Sequence, residues 1–79
     1  MPYIKQSDRI EALICPETPG QLNYAITQLL VTYLKASPDY GYTALNDCIG
    51  ALEAAKLEFY RRVVIPFENA KKDANGDVY

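Results

Sequence analysis

Residues 43–64 read TALNDCIGALEAAKLEFYRRVV, and this stretch decides the fold class. Leu45, Cys48, Ile49, Leu52, Ala55, Phe59 and Val63 recur at intervals of three and four. That spacing puts them on one face of a helix lasting about five turns, too long a match for chance. Leu52 and Phe59 are the expected core residues. Gly50, Ala51, Ala54 and Ala55 are small, which lets a second helix approach or, for the alanines, simply favours helix. Pro66 has no amide donor and its ring clashes with the carbonyl of Arg62, so the helix should end or kink near Val64. PFENAKK can restart it with Pro66 at the first position, and Asn75-Gly76 is helix-stop chemistry.

Working upstream, TPGQLNYAITQLLVTYLK, beginning at Thr18, predicts a second helix. Thr18 and Gln21 have the spacing of a capping box, and Pro19 falls where its missing N–H costs nothing. Leu22, Ile26, Leu29, Leu30 and Tyr33 keep helical spacing, and Gly20 in the first turn is a mild penalty. Pro38 blocks continuation, and Asp39 to Gly41 is turn chemistry. In the first seventeen residues, Ser7 can cap a two-turn helix carrying Ile10, Leu13 and Ile14 on one face, stopped by Pro16.

The expectation is one all-α domain over residues 1–79. It divides into an N-terminal arm with a short helix (1–17), a helix (18–36), a long helix (43–65), a short helix or kinked continuation (66–75) and a tail (76–79). Two helices of 17 and 22 residues, spanning about 25 and 33 Å, make a hairpin that cannot hide its own apolar faces. The economical remedy is self-association, as a dimer or larger, into a helical bundle.

Composition narrows the function classes. Eight basic and ten acidic residues give a formal charge of −2, with no basic stripe to bind duplex nucleic acid. Apolar runs are far too short for a membrane span, and the N-terminus lacks a signal-peptide core, so a cytoplasmic location is expected. Cys15 and Cys48 read as reduced thiols packed as small hydrophobes. The chain has no histidine, which removes Ser-His and Cys-His catalysis and His-metal ligation. The acidic residues lack the paired spacing that holds magnesium, and DANGD lacks the spacing of a calcium loop. No cofactor and no enzymatic activity are expected.

Seven tyrosines against two phenylalanines suit either a small core or an amphipathic binding surface. Lys56 falls within the apolar stripe. Its stem can pack there while its ammonium pairs with Glu53, or it can hold an anion in an interface cleft. Arg61 and Arg62 point away from the stripe. A Glu58–Arg62 pair and the helix dipole account for both, and a phosphate or carboxylate clamp is the sharper alternative. Tyr24 and Tyr60 complete the candidate ligand set with Lys56, Arg61 and Arg62, the tyrosines for stacking and the cations for phosphate.

TPGQLNYAIT, ALNDCIGALEAAKLEFYRRVVIPFE and the terminal NGDVY together resemble a family of short uncharacterised proteins found in phages and bacteria. The resemblance covers the chain from Thr18 onward. Gln21 stands where the family has glutamate, and Pro66-Phe67-Glu68 resembles its Pro-Tyr-Glu form. The family carries over no activity and no site. It implies a phage or prophage setting, in which small accessory proteins bind host factors or sequester signalling nucleotides.

Three function classes follow. The first is a non-catalytic helical oligomer that sequesters an anionic, nucleotide-like ligand between protomers. The second is a factor that binds one host or phage protein and no small molecule. The third is an all-helical nucleotide hydrolase.

Overall fold

A computed structural model describes residues 1–38 and 41–79. It is all-α: the described residues form helices and turns, with no strand among them. The chain divides into two compact units, Met1–Cys48 and Ile49–Tyr79.

In the first unit, a 3-10 turn at Gln6–Asp8 leads into α1, Arg9–Ile14. Ser7 therefore lies inside the turn, and Asp8 holds the cap position of α1 without a side-chain capping bond. The helix stops where expected, because Cys15 precedes Pro16 and is pushed to φ −148°, ψ 83°. The expected apolar face of this helix is not the covered one. Ile10, Leu13 and Ile14 are all exposed, whereas Ala12 is fully buried. α1 packs against α2, Pro19–Ala36.

α2 starts as its sequence dictates. The amide of Gln21 donates to Thr18 Oγ1 at 3.1 Å, and Pro19 sits in the first turn. The return half of the capping box reaches one residue further out, with Gln21 Oε1 accepting from the amide of Glu17 at 2.8 Å. Gly20 does more than tolerate its place. A Cβ there would lie 3.2 Å from the carbonyl oxygen of Met1 and 3.4 Å from Ile4 Cγ2, so the N-terminal strap lies directly on the helix start. At its other end α2 stops on Ser37, which precedes Pro38, is extended at ψ 134° and bonds back through Oγ to the carbonyl of Tyr33 at 2.9 Å. The expected turn beyond it falls, at Asp39 and Tyr40, outside the described residues.

α3 runs Tyr42–Phe59 and crosses from one unit to the other. Its first turns, inside the first unit, bury Ala44 and Cys48. Cys48 Sγ donates to the carbonyl of Leu30 at 3.7 Å, and Tyr33 Oη donates to Asp47 Oδ2 at 3.1 Å. The core of this unit is thus made of small side chains, Ala12, Ala44 and Cys48, and not of the large apolar residues of the stripes. Cys48 packs as a small hydrophobe, as expected, but Cys15 is exposed.

The second unit carries the rest of α3, a π turn at Tyr60–Val64, and α4, Ile65–Asn75. The π turn is how the chain accommodates Pro66. The amide of Ile65 reaches back to the carbonyl of Tyr60, a spacing of five. Widening the turn moves the backbone ahead of the proline off the α path, on which its ring would strike the Arg62 carbonyl. The helix is therefore re-routed at this point and continues into α4. It stops at Gly76, whose φ of 95° suits glycine and whose amide closes on the carbonyl of Lys72 at 2.8 Å.

Candidate interaction surface

The second unit is amphipathic in sequence and has no buried residue among those described. Leu52 is 38% exposed and Phe59 60%, and Leu57, Tyr60, Val63 and Phe67 are also open. Leu52 and Phe59, the expected core residues, are thus not buried by the rest of the single chain. Periodicity identifies which residues share a face, and it carries no information about what covers that face.

The π turn keeps this face continuous. In an unbroken α-helix Phe67 would lie roughly 80° around the axis from Phe59. The additional residue in the wide turn sets later residues back by roughly 100°, which brings Phe67 within roughly 20° of Phe59. Leu52 precedes Phe59 by seven residues and falls within roughly 20° on the other side. Leu52, Phe59 and Phe67 thus form one apolar line, with Val63 beside it.

Four of the charged residues along this segment pair with near neighbours. Lys56 Nζ lies 3.2 Å from Glu53 Oε1, the plainer of its two sequence readings, and both side chains are more than half exposed. Glu58 pairs with Arg61 and not with Arg62. One guanidinium nitrogen of Arg61 meets both carboxylate oxygens, at 2.9 and 3.0 Å. The π turn accounts for the change of partner, since it opens the one-turn spacing on which a Glu58–Arg62 pair depends. Arg62 makes no ion pair among the described residues. Lys71 Nζ lies over the Phe67 ring at 5.7 Å from its centre.

The five candidate ligand residues are divided between the units. Lys56, Tyr60, Arg61 and Arg62 lie in the second, at the end of α3 and in the π turn. Tyr24 lies on α2 in the first, where the guanidinium of Arg9 sits 5.5 Å from its ring centre. Arg9 also donates through Nε to the carbonyl of Ile4 at 3.3 Å, so it ties the N-terminal strap to Tyr24. Nothing in the sequence marked the Arg9–Tyr24 or Tyr33–Asp47 contacts, because each joins different helices.

Among the described residues, each unit carries an open groove. The first, about 260 Å³, is lined by Tyr33, Ser37, Pro38, Thr43, Ala44 and Asp47. Asp47 both accepts a bond from Tyr33 and, by its negative charge, disfavours the phenolate, so the Tyr33 hydroxyl ionises above its ordinary range. The second groove, about 490 Å³, lies where α4 meets the C-terminal tail around Lys72, Gly76 and Tyr79. No group of three acidic or cysteine side chains is placed to hold a metal among the described residues. No helix among the described residues is long and apolar enough to cross a membrane.

No curated protein and no solved structure matches the chain. One family model matches residues 1–78, that of a Domain of unknown function (DUF6899). With nearly every residue matched, the chain belongs to this family, whose fold in this member is all-α.

Proposed function

We propose that the protein is a small non-catalytic helical interaction module, working through the apolar line of residues 49–75. The observation that carries this reading is the exposure of Leu52, Phe59, Val63 and Phe67 along one helical segment. Contiguous exposed apolar surface on a water-facing helix marks an interaction site, because leaving it in water costs about 1.5–3 kcal/mol for each large side chain that could be buried. The resemblance to phage and bacterial proteins suggests the setting, a bacterial cytoplasm in which a short accessory protein docks on another polypeptide.

The test replaces Leu52, Phe59 and Val63 together by serine. Binding of an environment-sensitive apolar dye and association at micromolar concentration should both fall, while helix content by circular dichroism is kept. Unchanged dye binding and association would refute the reading.

Arg62, without an ion pair among the described residues, favours a second reading, that the π turn holds an anionic small molecule. Saturable binding of a nucleoside phosphate, lost in Arg62→Ala and Lys56→Met, would replace the first reading with this one. Magnesium-dependent turnover of nucleoside triphosphates would make it a hydrolase.

A further inference from the structure

The charges flanking the apolar line are arranged with a polarity. From Ile49 to Tyr60 the segment carries Glu53 and Glu58 against Lys56, so this half is net acidic. From Arg61 to Asn75 it carries Arg61, Arg62, Lys71 and Lys72 against Glu68 and Asp73, so this half is net basic. Side by side in parallel, two such segments would set acid on acid and base on base. Reversed, each acidic half meets a basic half, and the helix dipoles also oppose favourably.

Resting on the interaction reading above, we infer that the occupant of this face is a second copy of the chain, with the two 49–75 segments packed antiparallel about a two-fold axis near Arg61. The apolar residues fit that axis. Phe59 falls level with the partner's Val63, Ala55 with the partner's Phe67, and Leu52 with the partner's Ala70. Large side chains thus face small or medium ones, as interdigitated helix packing requires. A two-fold contact makes each pairing twice, so the interface is closed and self-limiting. The aromatic line exists only because the π turn sets Phe67 behind Phe59, and the wide turn at Pro66 therefore acts as a device for this pairing.

Orientation is read by cross-linking. Leu52→Cys and Ala70→Cys are made separately in a Cys15→Ser background, mixed, oxidised, and the linked peptides mapped by mass spectrometry so that buried Cys48 is followed separately. In the antiparallel pair the two copies of position 52 stand about 27 Å apart. The 52–70 link should therefore exceed either self-link by about tenfold. Dominant 52–52 and 70–70 links would overturn the antiparallel pairing while leaving the interaction reading intact.

Charge exchange is the companion test. Lys71→Glu with Lys72→Glu should weaken association at low salt by about tenfold or more, and adding Glu53→Lys should restore much of it. Association indifferent to these changes would also overturn the arrangement. A helical protein that scatters as a monomer at micromolar concentration would exclude the second copy as occupant. The interaction reading would then stand or fall on dye binding by the serine variant alone.

Discussion

The Tyr33 hydroxyl donates to Asp47 Oδ2 at 3.1 Å, joining the last turns of α2 to the first turns of α3. The bond holds only while the phenol keeps its proton. Because the folded pKa of Tyr33 is raised, the folded state binds this proton more tightly than the unfolded chain does. Its contribution is therefore fully present below the unfolded tyrosine value, about 10, and is lost as pH rises through the folded value. Melting curves between pH 8 and 11 should show a fall in wild type that is smaller in Tyr33→Phe. Identical alkaline profiles would mean that the bond contributes nothing.

Ala12 is fully buried in the first unit. Ala12→Leu should overpack the contact between α1 and α2 and cost about 1–3 kcal/mol. Ile14→Ala, at an exposed neighbour in the same helix, should stay within about 0.5 kcal/mol of wild type. Denaturant midpoints check both, and a silent Ala12→Leu would mean that the two helices can part without penalty.

Phe59→Ala and Leu52→Ala should separate stability from assembly. Measured on dilute protein, each should cost well under the 2–5 kcal/mol typical of a core deletion. Measured by light scattering or sedimentation, each should weaken association. A loss of several kcal/mol at every concentration would show that these residues are covered within the single chain.

Gly50 and Gly20 make a pair of opposites. A Cβ at Gly50 meets nothing within 4 Å, so Gly50→Ala should stabilise α3 by about 0.5–1 kcal/mol through helix propensity alone. A lower melting temperature, or lost association, would reveal a close neighbour on that side of the helix.

The two arginines of the π turn divide by partner. Arg61→Ala removes an exposed ion pair with Glu58 and should change stability by no more than about 0.5–1 kcal/mol. Arg62→Ala should be silent within about 0.5 kcal/mol. Thermal unfolding at low and high salt checks both, and a large effect of Arg62→Ala would point to a partner that the single chain lacks.

The sequence by itself determined the helices and most of their ends. Thr18 with Gln21, Pro16, Pro38, Pro66 and Gly76 act through local backbone chemistry, which operates over three to five residues and so is legible from order alone. It also determined that Leu52 and Phe59 share a face, because helical phase is a property of spacing. Only the tertiary structure decided which faces are covered. Ala12, Ala44 and Cys48 are buried while the larger Ile10, Leu29 and Phe59 are exposed. Close helix approach selects small side chains, and burial depends on what arrives from elsewhere in the chain. For the same reason Gly20, a mild penalty by its place in the helix, has the Met1 carbonyl lying against it. The Glu58 partner shifted from Arg62 to Arg61 because Pro66 changes the helix geometry one turn ahead of itself. Contacts between distant parts of the chain leave no spacing to read, so Arg9 over Tyr24 and Tyr33 on Asp47 emerged only with the fold.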